Sequence, residues 1–331
     1  MPAYLKPQEW LSVVRTEYLQ DFIRSGGAAV KFVVPADEMD AVEVKNGLQK
    51  QAGETGFHFA SIDASTTKIH FIERLFYDIA RPIDWDGLAY RFLRHLLEGN
   101  LELPDTREQF NLKNLALSNN YQESQMPAKI NELLIPNLYK DYAMTQEFRR
   151  AMIKLCEAQL VPGEVTLNLS NAVKAWLRGE LRLISALKPA LIFQKISRHN
   201  ARHLISSLSH WLKISGGGGL VLVLDISRYV QERPKEPDET YYYSTTAVLD
   251  CYEVLRQFID GTDESESLFI TVLAPIRFLD EGDRKRGVCA YDALKLRIWD
   301  EVQDRKFANP LSPLIRVSAC LRTEIEKGVS L

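Results

Sequence analysis

LVLVLD, residues 220–225, is the stretch on which the fold turns. Five consecutive apolar residues do not suit a strand with one wet face, which alternates; they suit a parallel strand covered by helices on both faces. Outward from it, four further short runs share this character and are bounded by turn residues: VKFVV at 30–34, FHFASI at 57–62, LFITVL at 268–273 and LIRV at 314–317. Between them the apolar period changes to that of a helix. Ala247, Val248, Cys251, Tyr252, Leu255, Phe258 and Ile259 form one stripe, with Ser244 placed to cap its start. Tyr291, Leu294, Ile298 and Val302 form a second, and Phe148, Met152 and Leu155 a third in mid-chain. Each reads as the core-facing side of a helix.

One helix separates the first two strands and one separates each of the last three, but 63–219 is mostly helical patterning cut by turn signals at Gly99-Asn100, Ser118 to Asn120 and Pro162-Gly163. The expectation is an α/β fold: a mainly parallel five-stranded sheet flanked by helices, with a large helical insertion between strands 2 and 3. Residues 1–63 and 213–331 would be the two parts of the core and 64–212 the insertion. No fixed-period repeat and no low-complexity tract interrupts this pattern.

Composition narrows the function classes. The 331 residues carry 41 Lys plus Arg against 44 Asp plus Glu, a net charge of -3, so nothing draws the whole chain to nucleic acid and any such contact must be local. Cys156, Cys251, Cys289 and Cys320 lie far apart without a C-x-x-C pair, which argues against zinc or a disulfide framework and suits a reducing cytoplasm. The first 18 residues, MPAYLKPQEWLSVVRTEY, lack the apolar core of a signal peptide. No stretch approaches the roughly 20 uninterrupted apolar residues of a membrane span.

Strand, helix, strand, long helical insert, strand ending in Asp225, helix, strand, helix, strand: this series resembles P-loop ATPases of the additional-strand class. In that class LVLVLD would be the strand whose terminal carboxylate helps hold Mg²⁺. Four segments more specifically resemble the P-loop ATP-binding proteins of BREX-type antiphage defence islands, the BrxD-like group. They are EWLSVVRTEYLQDFIRSGGAAVKFVV (9–34), GGGGLVLVLDISR (216–228), STTAVLDCYEVLRQFIDGTDE (244–264) and RGVCAYDALKLRIWDEVQDRKFANPLSPLIRV (286–317). The last, with Arg286-Gly287, Tyr291, Leu294 and Arg297 in step, is the most specific.

After the first strand the resemblance implies a G-x-x-x-x-G-K-[ST] loop, whose amides and lysine cradle the β- and γ-phosphates. This chain has Pro35-Ala36-Asp37-Glu38-Met39-Asp40-Ala41-Val42. Pro35 stands at the first glycine, Asp40 at the second, Ala41 at the lysine and Val42 at the Mg²⁺-binding hydroxyl. Proline brings no N–H, and the lost lysine was the main local cation. A like-charge pair about 4 Å apart costs on the order of 4 kcal/mol at an effective dielectric near 20, roughly a thousandfold in affinity. Ile226 follows Asp225 where an active ATPase often has the glutamate that polarises water, which leaves Asp225 as a relic capping its turn or as a surviving Mg²⁺ ligand.

The expectation is therefore a catalytically silent pseudo-ATPase subunit of an antiphage defence system, regulatory or assembling, with no cofactor. Its implied partner is a helicase or another ATPase encoded alongside it, and a homo-oligomer is a further option. The chain stops soon after the fifth strand, so the helical lid or winged-helix domain that often follows such a core is expected to be missing. One alternative is an active ATPase that binds ATP and Mg²⁺ through a non-standard phosphate site and loads or regulates a helicase. Another is a DNA-binding module contacting nucleic acid through a helix bearing Lys195, Arg198, Arg202 and Lys213.

Arg284, Arg286 and Arg305 either reach a neighbouring subunit's γ-phosphate or are exposed charges at helix ends. His199, His203 and His210 are expected on one face of that cationic helix; without an H-E-x-x-H glutamate they point to a solvated or anion-facing surface more than to metal. Gly216 to Gly219 precedes a strand, so it reads as a flexible lead-in and not as a phosphate cradle. Tyr241 to Tyr243 beside Arg233 and Lys235 fits a stacking surface or, more simply, loop packing.

Overall fold

The computed structural model describes residues 3–232, 242–299 and 308–320. It divides into two compact units, Met1–Leu75 with Gly218–Leu331, and Phe76–Gly217.

The first unit is built on one sheet of six strands: β1 (Tyr4–Leu5), β2 (Ala28–Pro35), β3 (His58–Asp63), β4 (Leu220–Asp225), β5 (Leu268–Leu273) and β6 (Leu314–Val317). Their order is β1-β6-β2-β5-β4-β3, and every neighbouring pair is parallel. The count of five is thus corrected to six. β1 spans two residues, too few for any period to register, and exists because Tyr4 and Leu5 pair with Arg316 and Val317. β5 is buried throughout and β4 in all but Asp225, the burial that their unbroken apolar runs require.

Helix α1 (Pro7–Val13) and helix α2 (Glu38–Thr55) cover one face of this sheet. Trp10 and Leu11 of α1, with Val44, Leu48 and Ala52 of α2, pack on Val33, Val221, Val223, Phe269 and Ile315. Side chains alternate across a strand, so Phe32 turns to the other face, where it stacks on Phe278, whose ring meets Tyr252 of the Thr245–Asp260 helix edge-on. Ser244 caps that helix through the Ala247 amide, as its sequence requires. The glycine run before β4 permits a close backbone approach: Gly219 sits at φ +115°, and a Cβ there would lie 2.1 Å from the Ser267 carbonyl oxygen.

The second unit is helical, with no strand among its described residues. Its longest helices are Trp85–Leu97, Gln146–Leu160, Glu164–Leu177 and Ala201–Ile214. Trp85 meets Phe148 edge-on at 6.2 Å and Phe92 meets Trp211 at 4.7 Å, which places two indole rings in its core. Asp84 and Thr145 accept from the Gly87 and Phe148 amides and so start two of these helices. Among the described residues no helix is long and apolar enough to cross a membrane.

Candidate functional site

In a parallel sheet the ligand crevice lies outside the carboxyl ends of the strands, so the turn from β2 into α2 is the first place to look. Two of its amides are engaged within the fold. Ala36 donates to the Val317 carbonyl of β6 (2.9 Å), and Asp40 donates to the Asp37 carboxylate (2.9 Å), which caps α2. The Asp40 side chain turns inward and is 3% exposed; Oδ1 accepts from the Ala319 amide at 3.0 Å, while Oδ2 has no hydrogen bond among the described residues. Two carboxylates therefore occupy the positive end of an 18-residue helix dipole. Met39 and Val42 face solvent at 82% and 49% exposure, and Ala41 brings no cation.

Asp225 ends β4 directly beside Asp63 at the end of β3. Each closes the turn after its own strand: Asp225 Oδ1 accepts from the Ser227 amide (2.9 Å) and Asp63 Oδ1 from the Ser65 amide (2.6 Å). Ile226 is buried and its amide donates to Leu273 in β5.

The segments that follow β3, β4 and β5 meet in an aromatic cluster that no local spacing announces. Tyr229 and Tyr243 stack at 3.8 Å, and His70 stands edge-on to both. The Tyr229 hydroxyl accepts from the His70 amide (3.1 Å) and lies 2.7 Å from His70 Nδ1; the Tyr243 hydroxyl donates to the Ala64 carbonyl (2.7 Å). Arg286 ties the cluster together. Its guanidinium donates to the Tyr229 and Tyr243 carbonyls at 2.9 and 2.7 Å, and its own carbonyl accepts from the Tyr252 hydroxyl. Burial pushes the Tyr229 and Tyr252 phenols and the Cys251 thiol up, and pushes His70 down against the pull of Asp250, so that burial favours the neutral form of each of these four groups around the Arg286 cation. Arg286 is thus turned into its own fold, Arg284 is exposed, and Arg305, Arg233, Lys235 and Tyr241 lie outside the described residues.

Residues 111–328 match the family described as BREX system ATP-binding protein BrxC/D. The chain belongs to this family. The matched region takes in β4 with Asp225, the Tyr229–Tyr243–Arg286 cluster and β6, and it begins downstream of the β2–α2 turn. No curated protein and no solved structure matches the chain.

In this BrxC/D-family chain the cationic segment of the second unit differs from expectation. The helix begins at Ala201, so Lys195, Arg198 and His199 precede it, and only Arg202 and Lys213 lie on it, roughly 16 Å apart along its axis. Asn200 is the reason. Its side chain accepts from the Ser197 amide (2.8 Å) and donates to the Lys195 carbonyl (3.2 Å), a local turn that competes with helix. The three histidines are also separated: His203 Nε2 lies 2.9 Å from Arg202, and His210 Nε2 pairs with Asp141 at 2.7 Å on the wall of a cleft of about 500 Å³. Among the described residues no group of three or more His, Cys, Asp or Glu is arranged to hold a metal.

Proposed function

We propose that this chain is a catalytically silent P-loop-fold subunit of a BREX defence system, working in the cytoplasm through a protein partner such as a helicase or ATPase of the same operon. The observation that carries this reading is the β2–α2 turn. Where a nucleotide's phosphates would sit, the helix dipole is already answered by Asp37 and Asp40, and Asp40 is hydrogen-bonded to the segment after β6. A triphosphate at this turn would meet carboxylates without a cation between them, each close pair costing on the order of 4 kcal/mol. The strand order supports the P-loop part of the reading, since β5 lies between β2 and the Asp225 strand β4, the insertion that gives the additional-strand class its name.

A second reading, a working ATPase with an unorthodox phosphate site, draws on the retained Asp225 and on the family's description as ATP-binding. Titration of the full chain with a fluorescent ATP analogue and Mg²⁺ separates the two. The expected result is no saturation at millimolar nucleotide and no phosphate release. Micromolar affinity abolished by Asp225→Ala would overturn the silent reading. Co-purification from the native operon identifies the partner.

A further inference from the structure

The cationic stretch of the second unit has a feature that its sequence period hid. From residue 181 to residue 224 the chain contains no Asp or Glu but six cations, Arg182, Lys188, Lys195, Arg198, Arg202 and Lys213, in a protein whose net charge is -3. Within this acid-free stretch, residues 191–198 lie between the Ile184–Ala190 turn and the Ala201–Ile214 helix as a segment fixed from below. Ile192 and Ile196 are buried at 0% and 5% exposure. The Leu191 carbonyl accepts from Arg150 (2.6 Å), Gln194 from the Trp176 indole (3.1 Å), Ile196 from the Tyr77 hydroxyl (3.1 Å) and Lys195 from Asn200 (3.2 Å).

So anchored, the segment presents its other side outward. Phe193 is 61% exposed, and Lys195, two residues on, is exposed with Arg198 beyond it. Neither cation forms an ion pair among the described residues. Leu191 enters the segment at φ +56°, a left-handed conformation unfavourable for leucine that four anchored carbonyls hold in place. An exposed aromatic ring followed two and five residues on by exposed cations, on a backbone held at four carbonyls, is the chemistry of a base-stacking platform: a ring face for a nucleobase and cations for the flanking phosphates, with less backbone freedom lost on binding.

We propose that Phe193, Lys195 and Arg198 form a binding platform for single-stranded nucleic acid, Phe193 stacking on a base while Lys195 and Arg198 take the adjacent phosphates. A duplex hides its base faces, so it loses the stacking contact. The platform lies wholly in the second unit, and its reading stands whether or not the β2–α2 turn accepts ATP.

Fluorescence anisotropy of the full chain with labelled oligo-dT or oligo-U of about 20 nucleotides, and with a duplex of the same length, tests it. Expected are salt-dependent binding of the single strands over the duplex and a loss of about 5- to 150-fold on Phe193→Ala, the worth of one stacked base. Phe193→Leu fails likewise, whereas Phe193→Trp binds at least as well as wild type. Joint replacement Lys195→Gln and Arg198→Gln reduces the slope of log affinity against log salt by about 1.4, two single-strand phosphate contacts. Preference for dT over U or the reverse identifies the strand type. The proposal fails if neither single strand binds, if duplex binds as well, or if Phe193→Leu, which preserves an apolar protein contact, leaves affinity intact.

Discussion

Replacing Arg286 by alanine distinguishes an arginine that serves its own fold from one held for a neighbour. The side chain donates two charge-assisted hydrogen bonds, to the Tyr229 and Tyr243 carbonyls. Such bonds contribute about 1.5–3 kcal/mol each. Arg286 is half-buried, so the low end applies, and two bonds give a loss of about 3 kcal/mol. In a unit of 150–250 residues each kcal/mol moves the melting point by about 2–4 °C, so Arg286→Ala is expected to melt about 6–12 °C below wild type. Arg286→Lys keeps the charge but not the planar fork that reaches two carbonyls, and falls between. Arg284→Ala, at an exposed site, stays within about 0.5 kcal/mol. The measurement is a thermal melt followed by near-ultraviolet circular dichroism, which reports the packing of the aromatic side chains, the Tyr229–Tyr243 stack among them. Should Arg286→Ala melt with the wild type, the inward role is refuted and an action on a partner subunit is reinstated.

Asp40→Ala removes the acceptor of the Ala319 amide and is expected to cost about 1.5–3 kcal/mol, read as a lower urea midpoint with unchanged slope. The Glu253 carboxylate is held at about 2, below its ordinary 4.5, chiefly by its hydrogen bond to Arg256 and further by Tyr291 and Gln257. A depressed carboxylate stabilises above its unfolded value and loses that contribution as pH falls through the folded one; stability is therefore expected to drop between about pH 4.5 and 2, and Glu253→Gln to flatten that part of an acid-unfolding curve. Thiol titration of the native chain is expected to modify Cys320 first, with Cys156 and Cys251, buried and pushed up by burial, reacting only after denaturant is added. Rapid native modification of either buried thiol contradicts the packing around the Thr245–Asp260 and Gln146–Leu160 helices.

Much of the sheet was legible because its strands are long enough and apolar enough to carry a period of their own. LVLVLD, LFITVL and LIRV coincide with β4, β5 and β6 at both ends. β1 was invisible because pairing with β6, and not its own composition, makes Tyr4–Leu5 a strand. The helix expected over Lys195 to Lys213 was shortened by one asparagine whose side chain closes a turn, a local hydrogen bond that apolar periodicity does not register. The inward turn of Asp40 did have a signal: it precedes Val44, Leu48 and Ala52 at four-residue steps, in phase with the buried stripe of α2. The aromatic cluster had none, since His70, Tyr229, Tyr243 and Arg286 come from four separated segments and meet only through the topology.

The strand order also sets a timetable for the ribosome. Among the described residues β3 pairs only with β4, and between Asp63 and Leu220 the whole helical unit must be synthesised, which at 5–20 residues per second takes about 8–30 s. β2 waits longer still, because both of its neighbours, β5 and β6, are encoded after β4. Throughout that interval two apolar strand segments lack the neighbours that satisfy their edges, the kind of exposure that chaperones counter. Slower translation across residues 64–219 is therefore expected to lengthen that exposure and lower the native yield, which the soluble fraction after synonymous codon replacement measures.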